Sequence, residues 1–189
     1  WRDWYGEVDT ALTRLRETCD RVAVCGLSMG GALALRLAEQ RPEDVDALVR
    51  DKLIKAFHEI GRPLFVEHTG LYLRGLNDLP AGLTQIFWDR LEAERFTDLV
   101  AALGDDKVTA KTVLGYCDGH KMHLFEGAIE GTVPRLPAGP KDFQWDCVFV
   151  PDGHTKTFAE MGTDKDDISM RRLALDKFAA HLKAAKVMK

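Results

Sequence analysis

The stretch PLFVEHTGL, from Pro63 to Leu71, decides the fold of this chain because it joins a buried strand to a polar cluster. Leu64, Phe65 and Val66 form a short apolar run, which is typical of a buried strand. Glu67 follows directly, and a carboxylate beside a buried strand needs a partner because burying an unpaired charge is costly. Ligand sites in α/β sheets often lie where buried strands end. We therefore predict that residues 67–70 belong to the functional site.

The patterns on both sides of this strand predict an α/β fold with a mixed sheet flanked by helices. Apolar residues from Val45 to Ile60 recur at helical spacing, and Gly61 and Pro63 end that helix. Asp118-Gly119 separates two β-rich runs, as a tight hairpin turn would. The remaining predictions are a loop over 75–82, two helical segments through 86–91 and 96–103, strands 108–117 and 121–130, a loop over 134–140, a last strand over 145–150 and a C-terminal helix over 168–186.

Residues 1–44 carry a second local motif, CGLSMGG from Cys25 to Gly31. It reads G-x-S-x-G, and it lies between a run of β-formers at 21–25 and a helical stretch at 32–40. A nucleophile elbow requires this strand-turn-helix context. Residues 1–44 therefore resemble the helix-strand-elbow-helix segment of an α/β-hydrolase, with Ser28 as an alternative nucleophile. Strand 21–25 is apolar on both faces, which predicts a central parallel strand in the same sheet as residues 64–67.

Composition limits the classes of function. The 189 residues, 46% of them hydrophobic, are enough for one globular domain with its own core, in which the segments 1–44 and 45–189 pack together. A net charge of -4 indicates no nucleic-acid-binding surface, and no apolar run is long enough to span a membrane. The four cysteines are scattered without a C-x-x-C pair, so we expect buried thiols and a cytoplasmic location.

From about residue 46 to the C-terminus, a series of motifs resembles those of the inosine triphosphate pyrophosphatase family. PLFVEHTGL is similar to that family's P-x-x-x-E-D-[TS]-x-L, and Lys52 stands on the preceding helix where the family keeps a lysine. The other matching segments are LPAG at 79–82, FQWD at 143–146 (F-G-[WY]-D in the family), TFAEM at 157–161, and Lys165 with Ser169-Met170-Arg171 (K-N-x-x-S-H-R in the family). The resemblance implies hydrolysis of aberrant purine nucleoside triphosphates (ITP, dITP and XTP) to monophosphate and pyrophosphate, by a homodimer.

The resemblance also implies roles for single residues. A triphosphate is held by cations and a divalent metal, so Glu67 is the expected Mg²⁺ ligand and, with His68, the expected catalytic group. Asp146 or nearby backbone amides are expected to read the 6-oxo edge of the purine. The full set of expected substrate-binding residues is Lys52, Thr69, Phe143, Trp145, Asp146, Lys165 and Arg171. Without the resemblance, the two aromatic residues would be ordinary core residues and the lysines ordinary surface residues.

Several departures from the family pattern predict an impaired enzyme. His68 replaces an acidic residue, Met170 replaces a histidine and Gln85 replaces a frequent lysine. The family's opening strand and T-x-x-N-x-x-K phosphate loop are also absent, and the hydrolase-like segment stands in their place, which suggests a chimera.

Two alternative functions stay open. One is a folded but inactive chimera or nucleotide binder. The other is a serine esterase that uses Ser28, with Asp152 and His154 as available partners but without the other strands of a hydrolase.

Overall fold

The computed structural model describes residues 42–187, together with Thr10, Thr13 and Arg14. The chain divides into two compact units, Trp1–Val45 and Asp46–Lys189, and the description below concerns the second. The strand predicted at 21–25, the helix predicted at 32–40 and Ser28 lie outside the described residues.

The chain from residue 42 to residue 187 combines helices and strands. In chain order its elements are α1 (Pro42–Ile60), β1 (Leu64–Leu73), a 3-10 turn (Arg74–Leu76), β2 (Leu79–Ala81), α2 (Thr84–Leu103), β3 (Lys107–Cys117), β4 (Met122–Thr132), a 3-10 helix (Gln144–Val148), β5 (Val150–Pro151), α3 (Phe158–Met161), a second 3-10 helix (Gly162–Asp167) and α4 (Met170–Val187). Within residues 42–187, no helix is both long enough and apolar enough to cross a membrane.

The described strands form one sheet in the order β2-β1-β3-β4-β5, and each neighbouring pair is antiparallel. β1 and β3 pair along their whole length, from Leu64 opposite Cys117 to Leu73 opposite Val108. The sheet and its flanking helices confirm the predicted α/β class. The parallel strand that would make the sheet mixed is the one predicted at 21–25, outside this region.

Two glycines show that α1 and α4 pack on opposite faces of the sheet. A Cβ atom at Gly115 would lie 2.7 Å from Cγ1 of Val49 in α1, whereas one at Gly127 would collide with the carbonyl oxygen of Met170 in α4. Leu114, one residue before Gly115, packs with Ala174 and Phe178 of α4. Successive side chains of a strand point to opposite faces, so Leu114 and Gly115 of β3 face α4 and α1 respectively.

The main core lies between the sheet, α2 and the segment that follows β4. Phe96, Phe149 and Phe158 are each no more than 1% exposed, and Trp145 packs beside them. α2 is interrupted at Glu92, whose φ of 54° and ψ of -173° are not helical. This interruption confirms the prediction of two helical segments in this region.

The predicted strand over 145–150 is largely wrong. Residues 144–148 form a 3-10 helix, in which the amide of Asp146 donates to the carbonyl of Phe143 at 3.1 Å, and only Val150–Pro151 pairs as a strand. Four consecutive residues, 145–148, are buried, and such a run cannot be told from a buried strand by its pattern. The predicted loop over 75–82 also contains β2.

The predicted hairpin at Asp118-Gly119 is confirmed. The Asp118 carboxylate accepts the amides of His120 and Lys121 at 2.8 and 2.7 Å, and Gly119 has a φ of 102°. The predicted C-terminal helix is confirmed as α4.

Candidate functional site

Asp146 is the only charged side chain that is buried among the residues the structure describes. Trp145 and Cys147, its neighbours in the 3-10 helix, are embedded in the core and hold it there. Its Oδ2 forms an ion pair with the ammonium of Lys165, which stands on the second 3-10 helix. Burial raises the pKa of Asp146, whereas the charges of Lys165 and then Arg171 act to lower it. The site is thus built around a buried carboxylate held by cations.

Phe143 lies at the surface beside this ion pair. The Lys165 ammonium is 4.7 Å from the centre of the Phe143 ring, which is a cation–π contact, and Phe143 is 47% exposed. Trp145 is only 3% exposed and stands edge to face on Phe149, with ring centroids 5.8 Å apart. A ligand from solvent can therefore reach the ring of Phe143, whereas Trp145 is a core residue.

Arg171 links α4 to β1. Its Nε donates to both oxygens of Glu67, at 2.9 and 3.0 Å, and one of its terminal nitrogens lies 2.7 Å from Oε1. The hydroxyl of Ser169 accepts the amide of Arg172 at 3.2 Å, which caps the helix and places Arg171 in its first turn. Glu67 thus has the partner that its position demands, and this partner is itself a predicted site residue.

His68, the next residue of β1, faces α1. Nζ of Lys52 lies 3.2 Å from Nδ1 of His68, and an ammonium can only donate, so Nδ1 is the acceptor and a neutral ring carries its hydrogen on Nε2. Burial lowers the pKa of His68 and the Lys52 charge lowers it further, while the backbone of Gly82 acts in the opposite sense. Nε2 is buried and makes no hydrogen bond of good geometry.

The charge of Arg171, which pairs with Glu67, also acts on Asp146, so the structure brings five of the predicted site residues into one group. We call it the Asp146 cluster: Glu67, Phe143, Asp146, Lys165 and Arg171. Lys52 and His68 form a separate pair, so the two predicted catalytic residues, Glu67 and His68, meet different partners on different faces of the sheet. Thr69 shares a hydrogen bond of 2.7 Å with the buried Thr112 of β3. Site roles for all of these residues stay predictions.

The described residues do not fit a resident magnesium ion at Glu67. Both oxygens of its carboxylate accept hydrogen bonds from Arg171. Within the described part of the chain, no three His, Cys, Asp or Glu side chains come together in a group that could hold a metal. A cation could use Glu67 only after Arg171 had moved away from it.

Two contacts beside the cluster were not predicted from the sequence. Lys141 forms an ion pair with Glu94 of α2, and Nε2 of Gln144 donates to Oε1 of Gln85 at 2.5 Å. Gln85 in turn donates to Asp89 at 2.6 Å. Gln85 stood out as a departure from the family motif, but nothing in the sequence signalled Glu94 or Lys141, since exposed charged residues are ordinary on a protein surface.

Comparisons with known proteins place this chain in a family. A model described as the Ham1 family matches residues 14–181. An inosine triphosphate pyrophosphatase from Yarrowia lipolytica is 34% identical over 173 residues, which cover 89% of this chain and 90% of that protein. A dITP/XTP pyrophosphatase from Methanopyrus kandleri is 34% identical over 122 residues, and this match spans 65% of its length.

Solved structures agree with the fold. A HAM1 protein from Coxiella burnetii has a TM-score of 0.63 with 24% identity, covering 72% of this chain and 76% of that one. The Ham1 protein from Staphylococcus aureus has a TM-score of 0.62 with 18% identity, covering 92% and 85%. At these identities the likeness establishes the fold alone.

Proposed function

Since the chain belongs to the Ham1 family, we propose that it hydrolyses the aberrant purine nucleoside triphosphates ITP, dITP and XTP to the monophosphate and pyrophosphate. The observation that carries this proposal is the buried carboxylate of Asp146, held by Lys165 next to the exposed ring of Phe143. An aromatic face beside an acceptor and a cation is suited to a purine with a phosphate tail.

In this proposal Phe143 stacks on the base and Asp146 reads its edge. Hypoxanthine carries a hydrogen on N1, which a carboxylate can accept, whereas adenine has a bare acceptor nitrogen at that position. A site built to accept a hydrogen bond rejects an analogue that lacks the donor, because its buried group is left unpaired. Trp145 was predicted to stack as well; its burial favours Phe143 for that role and a core role for Trp145.

Lys165 and Arg171, the cations of the Asp146 cluster, are the proposed phosphate contacts. Lys52, which was also predicted as one, pairs with His68 on the other face of the sheet. Hydrolysis to pyrophosphate breaks the bond between the α-phosphorus and the oxygen that bridges it to the β-phosphorus, with water as nucleophile. Negative charge then grows on the leaving pyrophosphate, and fixed cations stabilise it. Arg171 can serve in this way because its guanidinium offers more N–H donors than the Glu67 carboxylate uses.

Mg²⁺ is the proposed divalent cation, because hard phosphate and carboxylate oxygens are its preferred ligands. When bound to the substrate, it would neutralise phosphate charge. It would enter with the phosphates, since Arg171 holds Glu67 in the described arrangement. A homodimer and a cytoplasmic location stay predictions.

Two alternatives rest on residues 1–44. One is an inactive chimera or nucleotide binder, and the other is an esterase that uses Ser28. The family match begins at residue 14, within this segment, which favours a continuous family member over a chimera. Labelling of Ser28 by a fluorophosphonate, abolished in Ser28→Ala, would instead support the esterase.

The deciding experiment measures pyrophosphate release from ITP, XTP and ATP with and without Mg²⁺, beside thermal-shift titrations of the parent and of Asp146→Ala. We expect Mg²⁺-dependent ITP binding that Asp146→Ala abolishes, with slow turnover. The slow rate follows from His68 in place of the family's acidic residue, because each lost electrostatic contact costs about 10²- to 10³-fold. His68→Asp should therefore raise the rate. No thermal shift with any purine triphosphate would refute the nucleotide site.

A further inference from the structure

We propose that the two pairs Lys141–Glu94 and Gln144–Gln85 act as a clasp that positions Phe143 for purine binding. The segment 141–146 carries both Phe143 and Asp146, and the clasp joins it to α2 at two points. This inference rests on the proposed function, because it assigns positioning residues to the same purine site. It adds four residues to which that proposal gives no role.

The two points of the clasp lie on different parts of α2. Gln85 belongs to the first helical part, before the interruption at Glu92, and Glu94 belongs to the second. The segment therefore spans the interruption and is fixed to both parts. Lys141 and Gln144 stand on either side of Phe143, so the ring is tethered from both directions along the chain.

Phe143 depends on such tethers because it has little core packing of its own. It is 47% exposed and does not belong to the buried cluster that contains Trp145. Its ring contacts the ammonium of Lys165, which lies 4.7 Å from the ring centre. An exposed aromatic ring held at one point can adopt other rotamers, so the neighbouring backbone must limit its position.

The backbone next to Phe143 is strained. Gln144 has a φ of 36°, which is uncommon for a residue other than glycine, and the family motif has glycine at this position. A strained residue persists only when its surroundings hold it. Here the Gln144 carboxamide donates to Gln85 at 2.5 Å, and the Gln85 carboxamide donates to Asp89 at 2.6 Å. The two departures from the family pattern, at positions 85 and 144, are thus partners in one contact.

The clasp is suited to positioning rather than to stability. Glu94, Lys141, Gln85 and Gln144 are all exposed, and exposed pairs contribute little to the free energy of unfolding. A displacement of about 1 Å at a binding group, in contrast, is enough to weaken a site. Removing the clasp should therefore change nucleotide affinity while leaving the fold intact.

The test compares the parent with Gln85→Ala/Glu94→Ala, and uses Asp98→Ala as control, because Asp98 is an exposed acid on the same part of α2 as Glu94. We expect the double variant to raise the Kd and KM for ITP about fivefold, with kcat and the melting temperature almost unchanged. Amide hydrogen exchange over residues 143–147 without nucleotide should become faster. The control should match the parent in each measurement.

A charge exchange gives a second measurement. Glu94→Lys alone should weaken ITP binding, and Glu94→Lys/Lys141→Glu should restore it, which a purely structural effect of position 94 would not do. Unchanged ITP affinity in Gln85→Ala/Glu94→Ala, or no restoration of ITP binding in Glu94→Lys/Lys141→Glu, would overturn the clasp while the proposed function stands. A parent protein that binds no purine triphosphate would overturn both.

Discussion

The contact between Glu67 and Arg171 leads to a prediction that distinguishes two roles for the Glu67 carboxylate: positioning Arg171 and binding a metal. If Glu67 positions Arg171, Glu67→Gln should weaken that contact without changing the need for a metal. The amide keeps one acceptor oxygen but loses the charge and the second acceptor. The Glu67 and Arg171 side chains are 32% and 42% exposed, so solvent screens the pair. We expect a loss of about 1 kcal/mol in the free energy of unfolding.

For a chain of this size, about 1 kcal/mol lowers the melting temperature by roughly 2–4 °C. The assay measures that temperature and then the Mg²⁺ concentration for half-maximal ITP turnover, or for the half-maximal ITP-dependent thermal shift. We expect the half-maximal Mg²⁺ concentration to stay within about twofold of the parent, because both Glu67 oxygens accept hydrogen bonds from Arg171 in the described arrangement.

The opposite result would refute this reasoning. Loss of even a supporting group near a metal costs about 10- to 100-fold in affinity, and loss of a direct ligand costs at least as much. An increase of that size in the Mg²⁺ requirement, with an unchanged melting temperature, would make Glu67 a metal ligand. Glu126→Gln is the matched control, because Glu126 is also a strand carboxylate in an ion pair, with Lys111 at 3.0 Å.

Three further predictions concern packing, pH and base binding. Gly127→Ala should lower stability by about 1–3 kcal/mol in urea unfolding, because the new methyl group would collide with the backbone of α4; an unchanged midpoint would contradict that packing. The amides of Lys121 and His120 lower the pKa of Asp118 to about 2, so its stabilising effect exists above its unfolded pKa of about 3.9 and is lost as the pH falls through about 2. In Asp118→Asn the melting temperature should therefore fall less steeply between pH 5 and pH 2 than in the parent. An equally steep fall would count against this prediction. Phe143→Ala should raise the Kd for ITP about tenfold, as loss of one stacked base contact does, and equal affinity would remove Phe143 from the site.

Elements specified by local patterns were predictable from the sequence. The β3–β4 hairpin follows from Asp118 and Gly119, which meet the needs of the turn through a side-chain acceptor and a positive φ. The two parts of α2 follow from separate apolar stripes. The strand character of β1 follows from its apolar run, but the expected burial of that run is wrong: Phe65 is 53% exposed, and the strand continues past Glu67 to Leu73. Glu67 nevertheless has the expected partner, Arg171, although its side chain is only partly buried.

Features that depend on distant parts of the chain could not be predicted in this way. The burial of residues 145–148 on all sides resembles that of an inner strand, and only tertiary packing decides for the 3-10 helix. Alternation along β1 separates Glu67 from His68, but which helix each of them meets is decided only when α1 and α4 take opposite faces of the sheet. Likewise, Glu94 and Lys141 are 47 positions apart, and neither residue type indicates the other.

The alternation of side chains along β1 has a consequence for how such a protein can evolve. Glu67 and His68 are neighbours in the chain, yet one contacts Arg171 of α4 and the other contacts Lys52 of α1. An inherited exchange at position 68 therefore alters the surroundings of α1 and leaves the Glu67–Arg171 contact in place. A mutation on one face of the strand can thus leave the contacts of the other face unchanged. Selection can therefore act on the residues of β1 that face α1 separately from those that face α4.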